Sequence, residues 1–373
     1  MSTSGSSSPF RVLSIDGGGV RGLYSAVLLH GIAQRVARMN GQKEERLDVG
    51  AAFNLIVGTS TGAILAASLC AGVTLERVIN LYKTQARAIF QDPVPANGGQ
   101  WALAQWIWRH RDAAANKPGA LRSALLSILG EESVAAMYAR RSIALCVPAV
   151  NIETQRAWVY KTPHDSRGNR LQRDNHYKLV DLCLSSAAAP IVFPIHGVAT
   201  PHDAAGNVNW FVDGGLWANN PVMVALTEAL SFAPDGAPIE VISVSTCPPF
   251  KAPIISEESA NRGLLGWRGG IRMLEAAIDA QSSAYDYIAT ALATHLKERV
   301  TYVRLTDPKV NAEQVTHLRL DNPSKKCLDA LVRLASDAID LNMSEATTAA
   351  RPKELITRVF ARLATLPEGE GRV

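Results

Sequence analysis

The stretch Gly58-Thr59-Ser60-Thr61-Gly62 decides the fold because of what lies on each side of it. An apolar run precedes it at 53–57 and another follows at 63–69, which predicts a buried strand, a tight turn and a buried helix. A serine in such a turn projects from a sharp bend at the start of a helix, where a hydroxyl group can become a nucleophile. The G-x-S-x-G pattern alone is common by chance, so its placement between two apolar segments supports this interpretation.

Strand-like apolar runs alternate with helix-like segments on both sides of this stretch. The alternation predicts an α/β fold whose mostly parallel sheet is covered by helices on both faces, hence a three-layer α/β/α arrangement. Predicted strands lie at 10–15, 53–57, 143–150, 157–160, 208–212, 239–244 and 300–305. Predicted helices lie at 23–39, 63–71, 75–90, 272–297, 325–341 and 352–366.

The chain divides into three parts. Residues 1–9 are rich in serine and predict a disordered tail. Residues 10–250 contain six of the seven predicted strands and form the expected catalytic core, and residues 251–373 predict a mainly helical C-terminal extension packed on it. With 373 residues, 47% of them hydrophobic and 19% charged, the chain can bury a sizeable core.

Composition also bears on the compartment. No apolar run reaches the roughly 18 residues of a membrane span, and the first residues do not resemble a signal peptide. The five cysteines show no Cys-x-x-Cys spacing, which argues against a zinc ribbon and a disulfide framework. We therefore expect a cytoplasmic protein, and its net charge of +4 permits contact with an anionic membrane surface without requiring it.

A glycine-rich loop, Asp16-Gly17-Gly18-Gly19-Val20-Arg21-Gly22, follows the first predicted strand. Its glycines fit the G-x-G-x-x-G fingerprint, which would make residues 17–22 a dinucleotide-binding loop. The same glycines can instead direct several backbone N–H groups at one point, as in an oxyanion hole. A dinucleotide fold places an acidic residue at the tip of its second strand, where this chain has Ser60; the acidic residues Glu44, Glu45 and Asp48 lie earlier. This favours the oxyanion hole and leaves a cofactor enzyme as the alternative.

Asp213 ends another predicted strand and is followed by Gly214 and Gly215. An aspartate before glycine often caps its own turn. It can also present a carboxylate from a neighbouring strand end to Ser60, since active sites of such sheets lie at the carboxyl ends of the strands.

A serine nucleophile needs a base, and histidine is the commonest one. His295 and His317 follow Asp213 in the order that a Ser, Asp, His triad requires, but neither lies in a recognisable motif. The alternative is a dyad in which Asp213 takes the proton from Ser60 directly. Free aspartate is a weak base with a pKa of about 3.9, so a dyad requires a partly desolvated site that raises this pKa.

Taken together, the three motifs resemble those of the patatin-like phospholipase family. The resemblance covers about residues 10–246 and includes the glycine loop, the serine turn and the Asp-Gly-Gly turn in that order. Ser185-Ser186-Ala187-Ala188-Ala189-Pro190, Phe193-Pro194 and Asn219-Asn220-Pro221 are similar to further segments of that family.

The resemblance implies a patatin-like sheet and an acyl hydrolase with a Ser60–Asp213 dyad and no catalytic histidine. The amides of Gly17, Gly18 and Gly19 would hold the oxyanion, and Arg21 would fix the loop. Catalysis would need no cofactor and no metal.

The resemblance also implies partners. The substrates would be membrane phospholipids, cleaved at the inner face of the membrane. Some bacterial enzymes of this build are similar to anti-phage effectors that a cyclic dinucleotide activates, which makes such a nucleotide a candidate activator; no motif identifies its binding residues. A general lipid acyl hydrolase without nucleotide control and a catalytically silent binding protein are the alternatives. We expect a homo-oligomer and neither DNA nor RNA as a partner.

Two segments are candidates for contact with lipid. Trp101, Trp106 and Trp108 precede Arg109 and Arg111, a combination that suits the headgroup region of a bilayer but also suits a core helix with a solvated basic end. Residues 263–270, which are rich in glycine and contain one tryptophan, could form a lid or an ordinary loop.

Overall fold

A central sheet of eight strands dominates the computed structural model, as far as its described residues show. The described residues are 8–95, 99–164, 172–200, 206–248, 260–261, 263, 266–267, 270–344, 351–361 and 363–367. Most of the predicted tail (1–9) and half of the candidate lid (263–270) lie outside them.

The described part of the chain forms ten strands, seven of them where the sequence predicts a strand. They are β1 (Phe10–Ile15), β2 (Leu47–Asp48), β3 (Leu55–Gly58), β4 (Ala144–Asn151), β5 (Arg156–Lys161), β6 (His196–Ala199), β7 (Val208–Asp213), β8 (Ile239–Val244), β9 (Val300–Arg304) and β10 (Ala364–Thr365). The main sheet runs β6-β7-β4-β3-β1-β8-β9, with β5 also paired to β4. Strands β4, β3, β1, β8 and β9 are mutually parallel, whereas β5, β6 and β7 pair in antiparallel fashion.

Helices connect the strands and cover the sheet. They are α1 (Gly22–Met39), α2 (Thr61–Cys70), α3 (Leu75–Ile89), α4 (Gly99–Arg109), α5 (Pro118–Leu129), α6 (Val134–Arg141), α7 (Leu179–Ser186), α8 (Gly215–Ala218), α9 (Val222–Phe232), α10 (Ile271–His295), α11 (Ala312–His317), α12 (Lys325–Met343) and α13 (Arg351–Val359). None of the helices in the described part of the chain is both long and apolar enough to cross a bilayer.

Two hydrophobic clusters on opposite faces of the sheet confirm the three-layer prediction. Alternate strand residues enter different clusters, as Leu13 and Ile56 do on one face and Val12 and Val57 on the other. Helices α9 and α10 contribute to the second cluster, and α1, α2, α7 and α12 contribute to the first. Helix α2 is buried over its whole length, as its uniformly apolar sequence predicts.

The C-terminal segment takes part in the same core. β9 extends the sheet in parallel beside β8, and Leu331 and Leu355 belong to the same cluster as Leu13. The helix predicted at 352–366 is too long, because α13 ends at Val359 and Ala364–Thr365 pairs with β2 instead.

The pairing of β4 brings the ends of β3 and β7 close together. β5 occupies one edge of β4 from Cys146 to Asn151, so β3 and β7 share the other edge. On that edge Val57 pairs with Cys146, and Asp213 pairs with Ala149, three residues further on. Ser60 lies three residues after Val57 in the chain and is therefore positioned beside Asp213.

Candidate active site

Ser60 occupies a strained backbone position between β3 and α2. Its φ of 55° and ψ of −121° lie in a region that residues other than glycine rarely adopt. The Ser60 N–H donates to Ser186 Oγ at 2.8 Å, and the Ser186 hydroxyl donates to the Pro148 carbonyl at 2.6 Å. This chain of hydrogen bonds holds the turn in the conformation that presents the Ser60 side chain.

Gly62 makes the tightness of the turn possible. A Cβ atom at this position would lie 2.3 Å from the Ile15 carbonyl oxygen, so a side chain would force β1 and α2 apart. The second glycine of the G-x-S-x-G pattern therefore reflects a close backbone approach.

Ser60 and Asp213 are hydrogen-bonded to each other. Ser60 Oγ donates to Asp213 Oδ2 at 2.8 Å, and the Gly215 N–H donates to Asp213 Oδ1 at 2.6 Å. The two residues are 9% and 6% exposed, respectively. The Asp213 N–H donates to the Ala188 carbonyl at 3.0 Å, so the Ser-Ser-Ala-Ala segment holds both members of the pair. The sequence singled out this segment but gave no role to Ser186 or Ala188.

Burial changes the proton affinity of Asp213. Loss of solvation raises the pKa of its carboxyl group to about 6, against the opposing effect of the hydrogen bonds from Gly215 and Ser60. A carboxylate with a raised pKa is a better proton acceptor than free aspartate, which is the condition that a dyad imposes.

The glycine loop lies beside the serine, but its three N–H groups are not equivalent. A Cβ atom at Gly17 would lie 3.3 Å from Ser60 Cβ, which places the loop against the turn. The Gly17 N–H donates to the Asn219 carbonyl at 2.8 Å and is therefore occupied. In the described part of the chain, the N–H groups of Gly18 and Gly19 have no acceptor. Of the three predicted oxyanion donors, Gly18 and Gly19 have a free N–H group within the described residues, and their binding of an oxyanion stays a prediction.

Gly19 also shows how the C-terminal segment supports this loop. Its φ of 57° is left-handed, and a Cβ atom would lie 2.1 Å from the Leu320 carbonyl oxygen. The same oxygen accepts the Val20 N–H at 2.7 Å. The loop before α12 thus fixes the end of the glycine loop.

Arg21 is buried directly after the glycines. Burial lowers the pKa of its guanidinium group, while the carboxylates of Asp279 and Glu275 on α10 act in the opposite direction. Its Nε atom has no hydrogen-bond partner within the described ranges, and its backbone N–H donates to the Gly18 carbonyl at 3.1 Å. A role in fixing the loop stays a prediction.

The histidines of the described residues make no hydrogen bond to Ser60 or Asp213. His295 lies on an exposed helix face, where Nδ1 is 3.0 Å from the Ala291 carbonyl oxygen. His317 is the last residue of α11, and its carbonyl oxygen accepts a hydrogen bond from Asn322. The geometry therefore favours the dyad over the triad.

Two of the acidic residues considered for a dinucleotide fold pair with arginines. Asp48 pairs with Arg141 through two contacts of 2.7 Å, and Glu44 pairs with Arg38. The tip of β3 carries Ser60 in place of the acidic residue that a dinucleotide fold has there.

Of the two candidate lipid-facing segments, the structure describes all of residues 101–111 but only half of residues 263–270. In the first, Trp101 and Trp108 are 87% and 68% exposed, whereas Trp106 is buried. The Arg111 guanidinium lies 4.5 Å from the Trp108 ring centre. In the second, residues 264, 265, 268 and 269 lie outside the described residues.

Comparison with known proteins identifies the class of enzyme. The family model of patatin-like phospholipases matches residues 13–226. A cGAMP-activated phospholipase of Vibrio cholerae is 29% identical over 86% of this chain and 88% of its own. Similar enzymes carrying the same name are 30% identical in Pseudomonas aeruginosa (75% of this chain, 74% of that one) and 32% identical in Escherichia coli (58% and 55%). The chain belongs to the patatin-like phospholipase family.

Proposed function

We propose that the protein cleaves fatty-acyl esters of membrane phospholipids through a Ser60–Asp213 dyad. The observation that carries this proposal is the hydrogen bond of 2.8 Å between Ser60 Oγ and Asp213 Oδ2 in a buried site. Membership of the phospholipase family supplies the substrate class.

The reaction would proceed in two steps. Asp213 accepts the hydroxyl proton while Ser60 Oγ attacks the ester carbonyl, and the N–H groups of Gly18 and Gly19 stabilise the oxyanion. The protonated Asp213 then gives its proton to the leaving alcohol. In the second step Asp213 activates a water molecule, which releases the fatty acid from the acylated Ser60.

Labelling with a fluorophosphonate tests the nucleophile. We expect one labelled serine in the wild-type chain, loss of the label in Ser60→Ala, and loss of fatty-acid release from phospholipid vesicles by about 1000-fold or more. Ser68→Ala is the matched control, because Ser68 is buried on α2, the helix that Ser60 precedes, and its hydroxyl has no partner in the described part of the chain. A Ser60→Ala protein that is still labelled would contradict the proposal.

We propose further that a cyclic dinucleotide activates the enzyme. The relatives in Vibrio cholerae, Pseudomonas aeruginosa and Escherichia coli are named as cGAMP-activated phospholipases, which supports this regulation. A general lipid acyl hydrolase without such control is the alternative.

An open, basic groove between α3 and α12 suits a ligand with two phosphates. Its volume is about 740 Å³, and Leu328 contributes apolar surface. Four cationic side chains face one carboxylate, Asp329, which is itself 3.2 Å from one of the lysines. The cations are Lys83, Arg87, Lys325 and Arg333. This excess of positive charge favours an anionic ligand.

Helix α3 and the loop before α12 both lie next to elements of the active site. Tyr82, next to Lys83 on α3, lies beside the turn, because its hydroxyl and Thr61 Cβ would lie 2.4 Å and 3.0 Å from a Cβ atom at Gly22. The loop before α12 holds the glycine loop through Leu320. A ligand that draws the two helices together would therefore act on both halves of the site.

Titration with fluorescent cGAMP tests the groove. We expect Arg87→Glu and Arg333→Glu each to weaken binding by about tenfold or more, and Lys43→Glu, an equal charge change outside the groove, to leave it intact. Ser60→Ala should still bind, so a failed hydrolysis assay would not obscure this result. Inorganic phosphate and anionic vesicles are the competitors. Wild-type-like binding in both groove variants, or no binding by the wild type, would contradict the proposal.

We also propose a location, a biological role and an assembly state. We expect action at the inner face of the cytoplasmic membrane, in antiviral defence, by a homo-oligomer. Sedimentation with and without cGAMP tests assembly, and a chain that stays monomeric in both conditions would contradict it.

A further inference from the structure

Three metal-ligating side chains converge on the face of the sheet that α9 covers. They are Cys146 on β4, His164 shortly after β5 and Glu228 on α9, and their ligating atoms all lie within 4.8 Å of one another. We propose that these residues bind one Zn²⁺ ion that ties β4, β5 and α9 together. The proposal is independent of the dyad and of nucleotide activation.

The spacing of two of the three ligand atoms fits one ion. His164 Nε2 and Glu228 Oε2 are 3.5 Å apart. Two ligands held about 2.0 Å from a tetrahedral Zn²⁺ are about 3.3 Å from each other. Thiolate, imidazole and carboxylate are all ligands that zinc accepts, and a mixed set of them favours it over Ca²⁺ or Mg²⁺.

Two of the ligand atoms are buried and unsatisfied. The side chains of His164 and Glu228 are 5% and 9% exposed. Neither His164 Nε2 nor Glu228 Oε2 has a hydrogen-bond partner in the described part of the chain. The two atoms make only the 3.5 Å contact with each other, and buried polar atoms without a hydrogen bond are costly, so an ion between them would satisfy both.

Neighbouring groups orient the histidine for this role. Thr162 Oγ1 lies 2.8 Å from His164 Nδ1, and it also accepts the Leu145 N–H at 2.9 Å while lying 3.4 Å from the Leu145 carbonyl. In the proposed metal-bound form the Thr162 hydroxyl donates to that carbonyl, and His164 Nδ1 carries the proton and donates to Thr162. The lone pair of Nε2 then points into the cluster, as in histidines that bind metal.

Lys161 offsets part of the negative charge of the cluster but does not occupy the proposed metal position. Its Nζ pairs with Glu228 Oε1 and leaves Oε2 free. When the ion binds and Cys146 releases its proton, the thiolate, the carboxylate and the ammonium group sum to one negative charge, so a divalent cation leaves one net positive charge. The cluster lies away from the dyad. Asp213 pairs with Ala149 on β4, and Cys146 lies three residues, or about 10 Å, before Ala149 on the same strand. Because three is an odd number, the side chains of Cys146 and Ala149 point to opposite faces of the sheet.

Titration of the chelator-treated full chain with Co²⁺ under reducing conditions tests the site. We expect one equivalent to bind, with the near-ultraviolet charge-transfer absorption of a cobalt–thiolate bond, and Zn²⁺ to displace it. Cys146→Ser and His164→Asn should abolish this absorption. Cys70→Ser, which changes another fully buried cysteine, should keep it.

Thermal unfolding gives a second readout. Excess Zn²⁺ should raise the Tm of the wild type by about 3 °C or more and leave the Tm of His164→Asn unchanged. If Cys146→Ser fails to fold, His164→Asn and Glu228→Gln test metal binding without it. Absence of the cobalt–thiolate band from the wild type, or its persistence in the ligand variants, would overturn the proposal and leave a buried water as the occupant.

Discussion

Arg304, on the last strand of the main sheet, pairs with Asp16 at the head of the glycine loop. Its Nη2 lies 2.5 Å from Asp16 Oδ2, its Nη1 lies 3.4 Å from Oδ1, and Nη1 also donates to Ser243 Oγ at 2.8 Å. Both side chains are largely buried. Residues 288 positions apart in the chain thus jointly fix the start of the loop that holds Gly18 and Gly19.

Removal of Arg304 should therefore damage both stability and activity. Arg304→Met leaves the Asp16 carboxylate buried without its partner, which costs about 3–5 kcal/mol in comparable pairs. Urea unfolding should show this loss, and Asp16→Asn in the same chain should restore part of it, since burial already raises the pKa of Asp16 to about 6. An Arg304→Met protein as stable as the wild type would show that the pair is dispensable.

Hydrolysis should decline in mild acid. The reaction needs the Asp213 carboxylate, and burial raises the pKa of this group to about 6. Below that pH, kcat/KM should fall about tenfold per pH unit as Asp213 becomes protonated. The pH profile of a soluble ester substrate measures this, and a rate that stays constant from pH 8 to pH 4.5 in a folded enzyme would contradict it.

Asp213→Asn should be more stable than the wild type at pH 8. A folded-state pKa above the unfolded value of 3.8 means that the folded protein holds the proton more tightly. The cost of burying the carboxylate is therefore absent below pH 3.8 and reaches its full size, about 3 kcal/mol, above pH 6. Asparagine can still accept the Gly215 N–H and donate to Ser60, so thermal unfolding should show a higher Tm at pH 8, with a smaller difference at pH 4.

Trp101 and Trp108 should matter for membranes and not for chemistry. Both rings are exposed beside Arg109 and Arg111, an arrangement suited to the headgroup region. Serine at both positions should weaken binding to anionic vesicles by roughly tenfold or more and leave hydrolysis of a soluble ester unchanged. Met39→Ser, which removes another exposed apolar side chain, is the control. Equal vesicle binding by the double variant would make α4 an ordinary surface helix.

His295→Ala and His317→Ala should retain activity. Neither side chain is bonded to the dyad, and His295 Nδ1 faces a carbonyl oxygen of its own helix. Ester hydrolysis by each folded variant should stay within about twofold of the wild type. A loss as large as that of Ser60→Ala would restore the triad.

Local patterns were enough to predict the layers of the fold and the residues of the turn. Ser60 and Gly62 stand out because an apolar strand and an apolar helix flank them, and β3 and α2 lie there. Asp213 could be singled out as a strand end, but its contact with Ser60 depends on the register of two strands along β4.

Features that depend on long-range packing were not predictable. Ser186 supports the turn from 126 residues away, and the occupied N–H of Gly17 depends on where Asn219 comes to lie. Cys146, His164 and Glu228 have no motif spacing, so only the folded chain brings them together. β10 is two residues long and has no pattern of its own.

The acylation rate of Asp213→Asn with a soluble ester tests the central claim most directly, because it isolates the proton transfer from Ser60. We expect a folded, stable protein whose acylation is slower than that of the wild type by about 1000-fold or more, at a pH where the wild type is fully active. A folded Asp213→Asn protein that acylates Ser60 within tenfold of the wild-type rate would contradict it.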